Sequence, residues 1–391
     1  MNRRRLIAAM SSGSVGVISG CAGLGLGDSS SDSSPEDSSN PEPDQLDSED
    51  EEKSETEADF SPEPDYLIAQ DGSGDYESVT EVIQVAQDGD ILGLKPGTYE
   101  WNPTINENSN TFNDFNNEFT FVGKEVSSTT LNISPEGSSV FSVGDNNPQF
   151  HKLQIQIDDA VEWEARQTYA GGGDGSVRPV KFDECQVSGN ISGSYHANNT
   201  TFKTDAAPTE GVIKDCTFEG QVRIGEATIE RSELTEGGIE AAGCRLTECT
   251  LMGNADDVAL EMSGDGSIRF CEINGQIQNS NGTWRSNRFI EDSGSFDYFI
   301  DDSGPNKMWG NVFDGADIRV SGSVTMFEEE EGLGNYYSEW DGASDDDDDG
   351  ISELPRPIPG DSDVTDQYPL VNDDIGSYGM EPEDVPFYRP E

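Results

Sequence analysis

The chain has 391 residues, and its 79 aspartate and glutamate residues against 22 lysine and arginine residues give a formal net charge of -57 at pH 7. Nucleic-acid phosphates repel such a polyanion, which excludes nucleic acid as a partner, and the sequence holds no run of roughly 18 apolar residues that could form a transmembrane helix. Because a uniformly acidic surface repels itself unless salt screens it, the composition predicts a salt-adapted organism, with an acidic surface protein from a low-salt habitat as the alternative.

Residues 1–20 have the pattern of an export signal. Arg3, Arg4 and Arg5 precede a weakly apolar stretch rich in glycine and serine, which resembles a Tat signal. The stretch ends in Ile-Ser-Gly-Cys, which resembles a lipobox with Cys21 as the lipidated first residue of the mature protein. We therefore expect a haloarchaeal lipoprotein, a monomer anchored to the membrane by lipid and facing the extracellular side of the cytoplasmic membrane.

Residues 21–65 are predicted to be a disordered tether. The segment is rich in aspartate, glutamate, serine and proline. Such a composition lacks the apolar side chains needed to offset the entropy of ordering, and its like charges keep it extended.

The stretch from 66 to 99 predicts the start of a folded domain. Ser78 and Glu81 have the spacing of a helix capping box, and the apolar residues from Val79 to Ala86 fall on one helical face. The motifs DGSGD, GD-I and PGTY that surround this helix resemble the opening of the pectin-lyase-like right-handed parallel β-helix families. That resemblance implies a short helix capping the open end of a solenoid.

A short pattern recurs from residue 180 onward, mostly at steps near 16 residues. Each copy has an apolar residue, two variable residues, a small or polar residue, one variable residue and a second apolar residue. This period predicts coils of short strands that stack about 4.8 Å apart. We therefore predict an all-β, single-stranded right-handed parallel β-helix over 66–332. The second apolar positions form one predicted inner column: Val187, Phe202, Phe218, Leu234, Leu251, Ile273, Phe289 and Phe313.

The small position of the repeat predicts a second inner column, in which stacked asparagines can form hydrogen bonds. Its members are Cys185, Thr200, Cys216, Ser232, Cys249, Cys271, Asn287 and Asn311. The five cysteines other than Cys21 are interpreted as buried small residues, while disulfides stay open and the spacing favours no zinc or copper cluster. On the outside, Lys214 is expected to pair with Glu230, and Glu272 with Arg288.

Residues 333–370 resemble the closing segment of archaeal NosD-like β-helix proteins, and 371–391 form an acidic, proline-containing tail. Within the closing segment, Asp345, Asp347 and Asp349 alternate before Gly350, as in the first half of a calcium loop, and Glu353 follows. Arg356 occupies the twelfth position, so the ligand set of an EF-hand is incomplete. The candidate metal ligands are therefore Asp345, Asp347, Asp349 and Glu353, for calcium, or the run is a solvated acidic loop.

Catalytic signatures are sparse. Asp256 and Asp257 resemble the paired acids of glycoside hydrolases with this fold, but the companion Gly-His-Gly and Arg-x-Lys signatures are missing. The segment 296–300 is similar to a stretch of pectin methylesterases whose glutamine-bearing partner motif is missing. His151 and His196 are interpreted as surface or loop residues. Five arginines could face an anionic glycan or pair with neighbouring acids: Arg223, Arg269, Arg285, Arg288 and Arg319.

The sequence therefore favours a lipid-anchored cell-surface β-helix that acts as a scaffold or binds a glycan without catalysis. The alternative is a polysaccharide lyase or glycoside hydrolase acting on acidic polysaccharide, with Asp256 and Asp257 as the catalytic candidates. The NosD resemblance implies a lesser alternative, help in copper-site assembly. Membrane lipid and a polysaccharide are the expected partners, and calcium is the one expected cofactor.

Overall fold

The computed structural model describes residues 60–103, 105–106, 111–112, 118–134, 140–142, 148–158, 162–165, 179–235, 238–253, 258–263, 266–278, 282–290, 306–316, 318, 324–360 and 363–378. All of them belong to the unit Glu55–Glu391. The predicted signal peptide, Cys21 and nearly all of the predicted tether lie outside the described residues. No helix in the described ranges is long and apolar enough to cross a membrane.

The strands form the three faces of a parallel coil. Face A is the sheet of Tyr66–Ile68, Ile91–Leu94, Thr120–Gly123, Gln149–His151, Val180–Asp183, Val212–Lys214, Thr228–Glu230, Arg245–Thr247, Gly266–Arg269, Gly282–Arg285, Asn306–Trp309 and Val324–Thr325. Face B consists of Gly97–Trp101, Thr129–Ile133, Gln154–Ile157, Gln186–Ser188, Thr201–Phe202, Thr217–Phe218, Glu233–Leu234, Thr250–Met252, Glu272–Asn274, Arg288–Ile290, Val312–Asp314 and Tyr336–Tyr337. Face C consists of Ile105–Asn106, Thr111–Phe112, Val140–Ser142, Glu162–Ala165, Ala206–Glu210, Val222–Ile224, Ile239–Ala242, Val258–Ser263 and Gln276–Gln278. The strand Ile191–Asn198 begins in face C and ends in face A.

The predicted inner column of face B is confirmed by the strand register. Phe202 lies opposite Phe218, Phe218 opposite Leu234, and Leu234 opposite Leu251. The rings of Phe202 and Phe218 stack with centroids 4.8 Å apart, and those of Phe289 and Phe313 with centroids 4.7 Å apart. Each coil therefore buries its apolar side chains only through its neighbours, which is why a right-handed parallel β-helix forms from this pattern.

The same column continues before residue 180, where the sequence pattern was not recognised. Tyr99 lies opposite Leu131, Leu131 opposite Ile155, and Ile155 opposite Val187. Long insertions between these strands separate the apolar positions in the sequence, so the period near 16 residues is lost although the stacking is kept.

A single residue in left-handed conformation turns the chain from face A to face B in successive coils. The φ angle is positive at Lys152, Glu184, Asn199, Asp215, Arg231, Glu248, Phe270 and Ser286. Each of these residues from Glu184 onward directly precedes a member of the small inner column. The small side chain then turns inward at the corner, and at the Lys152 corner the buried Leu153 takes the same position.

The predicted polar ladder is confirmed and extends beyond the predicted members. The side-chain oxygen of Asn311 accepts from the Asn287 backbone N–H at 3.0 Å, and that of Asn335 accepts from the Asn311 N–H at 3.1 Å. Asn335 in turn donates its backbone N–H to Asp366 at 2.8 Å. The ladder supplies partners for backbone groups that the corners leave without a strand neighbour.

The two ends of the coil differ in construction. At the N-terminal end, the helix Val79–Ile83 begins after Ser78, whose hydroxyl accepts the Glu81 backbone N–H at 3.3 Å, as expected from the capping box. At the C-terminal end, Tyr336–Tyr337 adds a last strand to face B, an antiparallel ribbon joins Arg356–Pro357 to Thr365–Asp366, and a 3-10 helix spans Ile375–Tyr378. The five cysteines are buried and free, so the prediction that they are small core residues is confirmed.

Candidate functional site: a cationic face on an acidic solenoid

The charge of face A is opposite to that of the whole chain. Its described strands carry six lysine and arginine residues, Lys181, Lys214, Arg245, Arg269, Arg285 and Lys307, against two acids, Asp183 and Glu230. Both histidines of the chain, His151 and His196, also lie in face A strands. The described strands of face B carry one base, Arg288, against four acids, Glu100, Glu233, Glu272 and Asp314. A surface that departs so far from the overall composition is the first candidate for a binding site.

Strand geometry places these charges on the outside of face A. Successive side chains of a strand point to opposite sides of the sheet, and the apolar residues Phe182, Leu246, Ile268 and Trp284 are buried. Their sequence neighbours therefore point outward. Because the coils stack in register about 4.8 Å apart, the outward residues form two columns along the solenoid.

Three arginines follow one another along the later coils. Thr247, the second residue after Arg245, lies opposite Arg269, and Arg269 lies opposite Arg285. Arg269 is half-buried, and its pKa is lowered by burial and by the charges of Arg285 and Arg245. Its guanidinium donates to the Ser267 hydroxyl at 3.0 Å. Like charges held this close favour an anion beside them.

An aromatic ring follows Arg269 and Arg285 in the same outward column of face A. Trp309 lies opposite Arg285, whose guanidinium carbon is 5.7 Å from the centre of the indole ring. The nearest carboxylate to Arg285 in the described part of the chain is Glu331, at 3.7 Å. Trp309 is only 9% exposed and packs against Leu333 and Leu370, so its ring supports the Arg285 guanidinium and offers no platform for a sugar.

Both histidines lie in strands and line a groove on the earlier coils, so of the two predicted positions, surface or loop, the loop is ruled out. A cavity of about 520 Å³ is lined by Pro62, Thr120, Gln149, Phe150, His151, Lys181, Phe182, Asp183, His196, Ala197, Asn198, Val212 and Lys214. The His151 Nδ1 atom lies 2.8 Å from Asp183 Oδ2, and the Asn198 side chain donates to Asp183 Oδ1 at 2.7 Å. Strand pairing places His196 directly opposite Lys181.

The charge state of His196 follows from its surroundings. Burial lowers the pKa of His196, and the positive charge of Lys181 lowers it further. The imidazole is therefore neutral near pH 7 and has a nitrogen lone pair available. A neutral imidazole beside a lysine can accept a proton or a hydrogen bond.

The other predicted cations are engaged in ion pairs. Arg223 on face C pairs with Glu240 at 3.0 Å. Arg288 on face B pairs with Asp314 at 2.7 Å and with Asp373 at 3.3 Å, so it does not form the predicted salt bridge to Glu272, although the two residues are opposite in register. The predicted pair of Lys214 and Glu230 is confirmed, with the charged atoms 2.8 Å apart.

The catalytic candidates Asp256 and Asp257 lie outside the described residues, as does Arg319. In the described strands of face A, both acids already contact basic side chains, Asp183 the His151 imidazole and Glu230 the Lys214 ammonium group. Those strands therefore offer no free pair of carboxylates of the kind that glycoside hydrolysis needs.

The acidic loop of the closing segment brings three of its four predicted ligands together. Oxygen atoms of Asp345, Asp347 and Glu353 lie within 4.8 Å of one another. The charge of Asp349, together with those of Glu353 and Asp345, raises the pKa of Asp347. Asp349 itself accepts from the Ile351 backbone N–H at 2.8 Å. Carboxylate oxygens that repel one another are suitable ligands for Ca²⁺. Asp349 is oriented toward the backbone instead.

Comparison with proteins of known structure shows similarity of fold only. No protein-family model matches the chain, and no curated protein matches it. A pectin methylesterase from carrot is 17% identical, with a TM-score of 0.23, over 67% of this chain and 83% of that one. A rhamnogalacturonan lyase is 10% identical, with a TM-score of 0.25, over 68% of this chain and 85% of that one. A pectin methylesterase in complex with hexasaccharide VII is 13% identical, with a TM-score of 0.21, over 66% of this chain and 81% of that one. At such low TM-scores these likenesses carry no argument about the site.

The sequence also carries a signal for the cationic face. Outward residues of face A are the direct neighbours of the first apolar position of each repeat, such as Lys181 beside Phe182 and Arg245 beside Leu246. Collecting these neighbours from all repeats would have revealed the excess of bases. Arg245 and Lys181 are not among the predicted glycan-facing cations, because the repeat pattern constrains only the inner columns and leaves the outward positions variable.

Proposed function

We propose that this protein is a lipid-anchored cell-surface β-helix that binds an anionic glycan along face A without catalysis. The observation that carries the proposal is the excess of lysine and arginine on the outside of face A in a chain of net charge -57. A polyanion is repelled by most of this protein, so face A is where it can be held. Arg245, Arg269 and Arg285 bind its acidic groups.

The test is binding of polygalacturonate to the full chain, with its neutral methyl ester as the ligand control. The double variant Arg245→Gln with Arg269→Gln removes two charge-assisted contacts, each worth about 1.5–3 kcal/mol. We expect its affinity to fall by at least about tenfold. Arg223→Gln is the matched control, since Arg223 lies on face C and is paired with Glu240. Equal binding by the double variant, or equal binding of the neutral ester, would refute the proposal.

The second candidate function is β-elimination on the same anionic glycan. The observation that favours it is the neutral His196 beside Lys181 in the groove. Lys181 would offset the charge of a uronate carboxylate while His196 removes the proton at C5. The C4–O bond then breaks, a C4=C5 double bond forms, and the leaving oxygen takes up a proton.

Ultraviolet absorbance distinguishes the two functions, because only elimination produces an unsaturated uronate. Non-catalytic binding predicts no absorbance change when the full chain is incubated with polygalacturonate. Elimination predicts an increase that is lost in His196→Gln and kept in Arg223→Gln. An increase that survives His196→Gln would exclude this histidine as the base.

Lipid anchoring is tested separately from glycan binding. The proposed anchor is Cys21, and Cys21→Ser is expected to release the protein into the medium; retention at the membrane would contradict it. Copper assembly gains no support from Cys185, Cys216 or Cys244, because burial raises the pKa of each to about 12 and keeps these thiols protonated.

A further inference from the structure

His151, Asp183 and Glu184 lie at one edge of the groove with their ligand atoms turned toward one another. One nitrogen or oxygen atom from each residue lies within 4.8 Å of the others. The closest pair, His151 Nδ1 and Asp183 Oδ2, is 2.8 Å apart. Two ligand atoms that are each about 2.1 Å from one ion are separated by about 3.4 Å in tetrahedral coordination. The pair is now at hydrogen-bond distance, and a small separation of the two atoms brings them to the spacing of two ligands of a single ion.

The backbone fixes this arrangement. Strand register places His151 directly opposite Asp183 on adjacent coils of face A. Glu184 follows at the corner, where its φ of 51° turns the chain out of the strand. This turn brings two consecutive carboxylates to the same imidazole, which neighbouring residues of a regular strand could not do because they point to opposite sides.

Neighbouring side chains support the ligand set. Asn198 donates to Asp183 Oδ1 at 2.7 Å, which leaves Asp183 Oδ2 directed at His151. Hydrogen bonds of this kind orient the carboxylates that bind metals. Lys152 lies 4.0 Å from Glu184, at the limit of an ion pair, and surface pairs are worth about 1 kcal/mol or less. All three candidate ligands are partly accessible to solvent, so an ion can reach them.

We propose that His151, Asp183 and Glu184 bind one divalent transition ion of the zinc class. One imidazole nitrogen with two carboxylates favours such an ion over Ca²⁺, which prefers oxygen ligands alone. Three protein ligands leave a coordination position open toward the groove, where water or an anionic group binds. The proposal does not rest on glycan binding.

The test is titration of the full chain with Zn²⁺ by calorimetry, after removal of metal by a chelator. We expect one Zn²⁺ per chain at this site, with an affinity at least tenfold lower in His151→Gln and unchanged in His196→Gln. His196 is the matched control, since it is the only other histidine and lies on the same face. Asp347→Asn reports any zinc held by the acidic loop and is expected to leave the high-affinity site intact.

Binding of Co²⁺ supplies a second, spectroscopic readout that is independent of calorimetry. Co²⁺ bound at this site gives a visible absorption band that changes on loss of the imidazole nitrogen, so the band should disappear in His151→Gln and persist in His196→Gln. Absence of zinc binding in the unmodified chain, or equal zinc affinity in His151→Gln, would overturn the proposal. Glycan binding measured in chelator tests the proposed function separately.

Discussion

Asp366 terminates the polar ladder and has no access to solvent. Its Oδ2 atom accepts from the Asn335 backbone at 2.8 Å and from the Tyr337 hydroxyl at 3.0 Å, and its Oδ1 atom accepts from the Tyr368 N–H at 3.1 Å. Burial outweighs these bonds and raises the pKa of Asp366 to about 6. The folded chain therefore holds the proton of this carboxyl more tightly than the unfolded chain does.

This raised pKa predicts how the stability depends on pH. The stabilisation due to protonated Asp366 is complete below the ordinary pKa of 3.8 and is lost as pH rises toward about 6. Across that window we expect the free energy of unfolding to fall by about 3 kcal/mol relative to an Asp366→Asn variant. Urea unfolding at fixed high salt measures it, with the exposed Asp341→Asn as a control for loss of one surface charge. A difference between wild type and Asp366→Asn that stays constant from pH 4 to 7 would exclude this role.

At the scale of the element, the left-handed corner is the recurring unit of this fold. Glu248 adopts a φ of 55° immediately before the buried Cys249. The left-handed region is costly for residues other than glycine, and most costly for β-branched ones. The corner is retained because it directs the following small residue inward in each coil.

We expect opposite effects of glycine and valine at corner and strand positions. Glu248→Gly should raise the free energy of unfolding by up to about 1 kcal/mol, and Glu248→Val should lower it by about 1–2 kcal/mol. Glu233, exposed in the strand Glu233–Leu234, is the matched position, where valine should be tolerated better than glycine. Chemical denaturation of the four variants measures the order, and the same order at both positions would contradict a special role of the corner.

The acidic loop is the second element with a testable role. We propose that Ca²⁺ binds Asp345, Asp347 and Glu353 and relieves their mutual repulsion, so the thermal midpoint should rise with added Ca²⁺. Asp347→Asn should reduce that rise, whereas Asp341→Asn, outside the cluster, should preserve it. Scanning calorimetry with Ca²⁺ or chelator measures the effect, and an equal rise in both variants would show that the cluster is not the binding site.

At the scale of the whole molecule, the net charge of -57 dominates. Self-repulsion of the folded state is screened over about 3 Å in 1 M salt and over about 30 Å at 0.01 M. We therefore expect the thermal midpoint to rise steeply with NaCl up to molar concentration. Sucrose at equal osmolality is the uncharged control and should have a much smaller effect. A midpoint that responds equally to both would argue against salt adaptation through charge.

The fold could be predicted from the sequence because every coil must bury apolar side chains at the same positions as its neighbours. Every coil needs an apolar residue beneath that of the next, so Phe218, Leu234 and Leu251 had to recur at the coil length. The asparagine ladder was predictable for the same reason. Asn335 and Asp366 were missed because the chain reaches them through an irregular closing segment, where no period indicates the register.

The candidate site could be predicted only in part, since sequence separation hides which outward residues become neighbours. His151 lies 32 residues before Asp183, which is about two repeat lengths, whereas Asp183 and His196 are 13 residues apart on adjacent coils. Backbone hydrogen bonds between coils bring them onto one face. The sequence by itself determined that this chain coils and which side chains enter the core, because burial of apolar residues has a fixed period. Only the tertiary structure decided that bases and histidines gather on face A, because outward side chains have no such period and are placed by the stacking of the coils.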